Sequence, residues 1–447
     1  MTRSILRRMP VALAMLLLLW GAALPRPAAA FDIQRVRSPG GIEAWLVRDT
    51  SVPVISFSFA FRAGAAVDPP GKSGRADMVS SLLDEGAGEL SSQEFQGQLE
   101  DIAASLRFTS SMDRFRGSLR TLSATRDEAF RLLALALTSP RFDENPVERI
   151  RAQMIAGLRH SLQDPDTIAS RTWFRTAFPE HPYGQSSDGT IESVNAITVA
   201  DLRGFTRRYF VRSSLVVGVA GDISPDELAR RLDEVFGGLP ATGPGDTIPD
   251  VEPAAAGRLV VIPRNVPQSV VMFGHEGIAR KDPDWYAAYV MMRVLGGGGL
   301  VSRLHEEVRE KRGLAYSVYA YLNPYEHAAL IMGGVATANQ RVAESLRIIR
   351  SEWRRMAEQG VPEEELAAVK TYINGSFPLR LDSTRRIAGM LVSVQLHELG
   401  IDYLSRRDEL INSVTVEDVR RVARRLLKPD ALTVVVVGQP EGINPAH

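Results

Sequence analysis

The sequence predicts an α+β protein built of two tandem homologous domains, each a mostly antiparallel sheet with helices packed on one face. Three observations carry that reading. At 447 residues the chain is too long for one ordinary domain, so two are the natural expectation. Second, a segment near the middle recurs near the end. NAITVADLRGFTRRYFVRSSLVVGVAG at 195–221 aligns without gaps on NSVTVEDVRRVARRLLKPDALTVVVVG at 412–438, at a constant offset of 217. Asn, Thr, Val, Asp, three Arg, Leu, two Val and Gly coincide, and a generic strand–helix–strand unit does not demand the shared polar residues. Asp68-Pro69 also answers Asp282-Pro283, at an offset of 214. Third, alternating strands are mixed with long helices without a regular βαβ beat, which disfavours a doubly wound fold.

Taken in order, residues 1–30 read as a signal peptide. Arg3, Arg7 and Arg8 form the positive end, 11–19 the apolar core, and Ala28-Ala29-Ala30 the cleavage site before Phe31. The apolar run is short of the roughly 20 residues that span a bilayer. The expectation is export, to the periplasm in a Gram-negative source, with no membrane anchor after cleavage. Composition is that of a globular protein, 45% hydrophobic and 24% charged. Residues 1–30 hold Arg3, Arg7, Arg8 and Arg26 and no acid, so 53 basic and 53 acidic side chains become 49 and 53, a net of −4. That gives no electrostatic case for nucleic acid or an anionic membrane. With no cysteine, disulfides, thiolate ligands and lipidation are excluded.

The alternation over 42–62, as in Ile55-Ser56-Phe57-Ser58-Phe59, predicts a half-buried strand. Asp68-Pro69-Pro70-Gly71 is a turn, and 75–85 a helix closed by Gly86. Segments 92–106 and 128–137 read as helices with a strand-like stretch, 106–122, between them, and 144–162 as a longer helix. Ser224, Pro225 and Glu227 open another, carrying Leu228, Leu232 and Val235 on one stripe. The Pro-, Gly- and Ala-rich segment 242–257 reads as the linker between a first domain, 31–241, and a second, 258–447.

One stretch of the second domain, 296–322, is more specific: GGGGLVSRLHEEVREKRGLAYSVYAYL. Gly296, Gly297, Gly298 and Gly299 lead into helical spacing at Leu300, Leu304 and Val308; Gly313 stops it, and 316–321 reads as a strand. The stretch resembles the second-half domain of the pitrilysin/insulinase family (peptidase family M16), in which a glycine loop is followed by S-R-L…R-E-K-R-G-L-A-Y. The resemblance implies tandem α+β domains, two pairs of which close like a clamshell around a substrate chamber. It also implies that the first domain of an active member carries H-x-x-E-H on a helix, with two zinc-binding histidines, a glutamate base and a third ligand on a later helix.

Here the histidine positions fall on Asp77 and Ser81 and the base position on Ser80. Serine is a poor zinc ligand and no base at neutral pH. The later stretch, 149–163, has no acid, and no two of the seven histidines lie within one helical turn. Asp77 and Asp84 share a helix face at i, i+7, but without histidine or thiolate that makes a weak site. No metal is expected on this chain.

By the same resemblance, Arg309 and Tyr316 match the arginine–tyrosine pair that the second-half domain projects toward the zinc. A phenol can donate to an oxyanion and a guanidinium can hold a substrate carbonyl or carboxylate. Taken singly, such residues usually serve a helix dipole and strand packing. The glycine run has no GK[ST] or G-x-G-x-x-G context, so it reads as a flexible loop rather than a phosphate cradle. His181-Pro182-Tyr183-Gly184 reads as a structural turn and His305 as a surface residue. The expected function is the non-catalytic, substrate-binding subunit of a heterodimeric M16-type zinc peptidase that degrades unfolded peptides. The partner subunit would bear H-x-x-E-H and the zinc. The alternative is a peptide-binding or assembly protein with no peptidase partner.

Overall fold

The computed structural model describes residues 32–243, 245, 247–254 and 256–443. The signal peptide expected at 1–30 lies outside them. Six strands form the first sheet: β1 (Ile33–Arg37), β2 (Glu43–Arg48), β3 (Val54–Phe61), β4 (Ser105–Ser110), β5 (Phe115–Leu122) and β6 (Leu215–Gly221), in the order β1-β2-β6-β3-β5-β4. Five form the second: β7 (Leu259–Pro263), β8 (Gln268–Glu276), β9 (Ala315–Pro324), β10 (Ala329–Ala338) and β11 (Thr433–Gly438), in the order β7-β11-β8-β10-β9. Each sheet has one parallel pairing, β2 with β6 and β7 with β11, and is otherwise antiparallel. Set β1 aside and the two strand orders correspond one for one.

The internal repeat is visible down to single hydrogen bonds. Helices Val199–Tyr209 and Val416–Leu426 both start from a capping box. In the first, Asp201 N donates to Thr198 Oγ1 at 3.3 Å and Thr198 N to Asp201 Oδ2 at 2.8 Å. In the second, Asp418 N donates to Thr415 Oγ1 at 3.1 Å and Thr415 N to Asp418 Oδ2 at 3.1 Å. The polar identities in the aligned segments are therefore a conserved piece of local geometry between the two halves.

One face of each sheet carries helices of its own half. Phe57 and Phe61 of β3 stack on Phe236 and Phe210, with ring centroids 5.9 and 4.7 Å apart. In the second half Phe273 of β8 meets Trp353 edge-on at 5.7 Å. The other face of each sheet is covered by a helix from the opposite half. Helix Thr384–Leu396 lies across β3 and β6, where Leu391 and Val392 are buried with Ala60 and Ala220. Gln395 Nε2 donates to Val217 O at 2.8 Å. Gly218 makes this approach possible, since a Cβ there would sit 2.5 Å from Ala388 O. Reciprocally, helix Pro165–Ala177 lies across β8 and β11. Its Trp173 is fully buried beside Met332, Val435 and Val437 and donates from Nε1 to Thr433 O at 3.0 Å.

This exchange corrects the half-buried reading of β3. All eight of its residues are buried. The small, polar side of its alternation is the floor for the crossing helix, and Ser56 Oγ and Thr384 Oγ1 share a hydrogen bond of 2.8 Å. The long alternating segment is also two strands, β2 and β3, and the strand-like stretch after the second helix is a hairpin, β4 and β5. The helix expected over 75–85 ends early, at Ser80. Ser80 Oγ donates to Asp77 O at 2.8 Å, the local bond by which serine competes with helix continuation.

The described part of 242–257 has no regular element and is strapped to the body. Val251 N donates to His327 O at 2.8 Å and Ala254 N to Ala177 O at 2.7 Å. Nearby, the His-Pro-Tyr-Gly turn joins the halves. Buried Tyr183 donates from Oη to Asp113 Oδ1 at 2.6 Å and accepts from His327 N at 3.0 Å, while Glu326 N donates to Asp113 Oδ2 at 2.9 Å. Glu326 also pairs with Arg114 and, at 3.4 Å, with Arg62.

Candidate functional site

Two places bear on the chemistry, and no hydrogen bond, ion pair or ring contact among the described residues joins them. At the first, Asp77, Ser80 and Ser81 sit on one short helix, Arg75–Ser80, and its C-terminal cap. The helix is anchored by buried Asp68, which accepts from Gly74 N at 3.1 Å and pairs with Arg75 at 3.2 Å. Burial, helped by the nearby Asp188 carboxylate, pushes the Asp77 pKa up to about 6. Ser80 is buried with its hydroxyl spent on the backbone. Because the helix stops at Ser80, Asp84 no longer shares a face with Asp77; Gln96 donates to its backbone oxygen at 2.9 Å instead.

The acids of helix Glu144–Ser161 lie in its first turns, and Glu148 is committed to Arg151 at 3.2 Å. Among the described residues no three His, Cys, Asp or Glu side chains converge on one point. One protonatable carboxylate beside two serines does not fit the zinc ion that the resemblance implies for active members.

At the second place the motif separates into a scaffold and two presented side chains. Arg303 forks onto Glu365, with bonds of 3.0 and 2.5 Å, and reaches Gly360 O at 3.1 Å. Glu307 holds Lys311 at 2.7 Å and Arg312 at 2.6 Å, and these partners keep its pKa below the usual carboxylate value. Leu304 and Val308 are fully buried. These residues build the turn. Arg309 and Tyr316 remain outside it.

The segment His305–Glu310 is wound as a π-helix, a form associated with functional sites. Arg309 donates from Nη1 to His305 Nε2 at 2.9 Å, which places the ring proton on Nδ1. His305 is buried rather than on the surface, and its work is to hold the guanidinium. The i, i+4 spacing of His305 and Arg309 was the available sequence signal.

Tyr316 is set by a β-bulge. Ala336 of β10 faces Ser317, but its neighbour Thr337 faces Ala315, so Tyr316 has no cross-strand partner. The extra residue is pushed out of the ladder, as bulges beside binding sites commonly do. Its side chain is 79% exposed, and the Arg309 guanidinium carbon lies 4.7 Å from its ring centroid. Sequence periodicity carries no mark of the bulge. The result is a cation–phenol pair on the edge strand, with the hydroxyl free to donate outward.

The glycine run is less uniform than expected. Arg293–Gly297 is a second π-helical turn. Gly296 is buried against β9, where a Cβ would lie 2.5 Å from Ala320 N. Gly299 is exposed at φ +62°, with nothing within 4 Å of an added Cβ. Close backbone packing accounts for the start of the run and an open turn for its end.

The fold and site together define a two-repeat α+β protein that pairs a half-buried arginine with an exposed tyrosine and has no cluster of zinc ligands among its described residues. Comparison with known proteins agrees. Residues 196–373 match the family model described as the peptidase M16 inactive domain. The chain is 32% identical over 330 residues to the non-peptidase homolog YmxG of Helicobacter pylori, covering 74% of this chain and 76% of that one. It is 28% identical over 406 residues to a protein named as an uncharacterized zinc protease in Streptomyces coelicolor, covering 88% and 87% of the two chains. The crystal structure of a peptidase M16 inactive domain from Pseudomonas fluorescens matches with a TM-score of 0.86 at 27% identity, over 93% of this chain and 100% of that one. This chain belongs to the peptidase M16 family, among its members without the H-x-x-E-H motif.

Proposed function

We propose that the chain is the non-catalytic, substrate-binding subunit of a heterodimeric M16-type zinc peptidase acting on unfolded peptides in the periplasm. A partner subunit brings H-x-x-E-H and the zinc. This chain brings Arg309 and Tyr316. The observation that carries the reading is the contrast between its two halves: Ser80 and Ser81 stand where metal chemistry needs Glu and His, whereas the bulge, the π-turn and buried His305 all serve to present Arg309 and Tyr316. A presented phenol donates a hydrogen bond to the oxygen on which charge develops as a peptide carbonyl is attacked. The guanidinium beside it holds a neighbouring carbonyl or carboxylate by its planar fork of donors. Neither group cleaves a peptide without an activated nucleophile, so the activity requires the partner.

Reconstitution tests this. The purified mature chain is expected to cleave no unfolded peptide, with or without added Zn²⁺, and to cleave once mixed with an H-x-x-E-H subunit from the same organism. A native pull-down that retrieves no such subunit would contradict the proposal in favour of an assembly role.

A further inference from the structure

Beyond Gly297, at the opposite end of β9 from Tyr316, lies a cavity of about 380 Å³ walled by helices Trp285–Met292, Thr384–Leu396 and Tyr403–Asn412. Four arginines line it, Arg280, Arg293, Arg380 and Arg407, and no Asp or Glu does. Arg407 is buried and paired with Asp408 at 2.9 Å. The other three have no carboxylate partner among the described residues. Arg425, by contrast, is tied to Asp282 and Asp284 at 2.7 and 2.8 Å.

Arg280 is held by aromatic faces instead. Its guanidinium carbon lies 4.7 Å from the Trp285 ring centroid and 5.9 Å from that of Tyr403, and its hydrogen bond to Tyr403 Oη is long, at 3.5 Å. Most of its five donors are therefore unspent. The wall is thus cationic at several points and aromatic between them. His397, also in the wall, is held down to about 4 by burial and by the Arg280 charge, so it is neutral at physiological pH and adds no charge of its own.

We propose that this cavity binds a carboxylate carried on an aromatic or aliphatic body, and that its occupant is the C-terminal residue of a peptide. The size suits about one residue, at the small end of ligand pockets. A peptide's last residue presents its side chain and its α-carboxylate from a single carbon. The side chain meets Trp285 and Tyr403 while the carboxylate meets the unspent donors of Arg280, with Arg380 at the exposed rim. An internal Asp or Glu offers the charge without the apolar body. The choice of a peptide rests on the function proposed above; the preference for an apolar carboxylate does not.

Calorimetric titration of the mature chain alone, without partner or metal, tests the site separately from the peptidase reading. The probes are N-acetyl-glycyl-phenylalanine, its C-terminal carboxamide and 3-phenylpropionate. The free acid is expected to bind at least about tenfold more tightly than the amide, because a charge-assisted bidentate contact is lost in the amide. Arg280→Gln and Arg380→Gln should each weaken the acid and leave the amide unchanged, and Arg280→Lys should restore part of the loss, in variants whose Tm matches the parent. Equal affinity for acid and amide, no binding of either, or indifference to both substitutions would overturn the site. Equal affinity for 3-phenylpropionate would overturn the peptide as occupant.

Discussion

Asp77 sits at one of the positions where the resemblance implies a zinc-binding histidine, and burial alters its protonation. Its folded-state pKa is raised from 3.8 to about 6, so the folded protein holds that proton more tightly than the unfolded chain does. The stabilisation from the bound proton is complete below the unfolded value of 3.8 and is lost as pH rises through about 6. Asp77→Asn, which keeps the shape and removes the charge, is therefore expected to raise Tm at about pH 7.5 and to leave it unchanged near about pH 4, measured by thermal unfolding across pH. A gain that is equal at both pH values would mean that charge is not the cause. At this scale the sequence was legible for what was missing, since serine in place of His and Glu can be read directly. By resemblance the sequence pointed to Arg309 and Tyr316. It was silent on how they are presented, because the bulge at Tyr316 depends on a register fixed by a different strand, β10.

Single elements owe their burial to the opposite half of the chain. The helix Pro165–Ala177 was not read from the sequence, although it starts at an Asp164 cap that accepts from Thr167 N at 2.9 Å. What covers the second face of a sheet is decided by tertiary packing and leaves only indirect traces in the sequence, such as the serines of β3 and Gly218 beneath helix Thr384–Leu396. Trp173→Ala should cost about 3–5 kcal/mol in urea unfolding, the usual range for deleting a fully buried aromatic. Trp173→Phe, which keeps most of the packing and leaves Thr433 O without the indole donor, should cost about 1–3 kcal/mol. Gly218→Val should also destabilise, by driving helix Thr384–Leu396 away from β6. A tryptophan variant as stable as the parent would show that the crossing helix is a surface ornament.

The two repeats are joined by the exchanged helices, the Tyr183–Asp113–His327 bridge and the strapped linker. Their existence was readable from the offset of 217, because the capping boxes are written in side chains. Their interlocking was not, since neither crossing helix lies inside the aligned segments. Calorimetry of the mature chain should accordingly give a single unfolding transition whose calorimetric and van't Hoff enthalpies agree. Proteolytic nicking within 242–257 should leave the two fragments associated. Two separated transitions, or fragments that part on gel filtration, would contradict this.

On the proposed function this chain grips the peptide while a partner subunit holds the metal. Kinetics of the reconstituted complex with Tyr316→Phe, which removes only the phenolic donor, tests it most directly. A fall in kcat of about 100-fold is expected, the scale on which a single oxyanion donor acts, with KM changed by less than about threefold. Unchanged kcat, or a loss appearing wholly in KM, would contradict it.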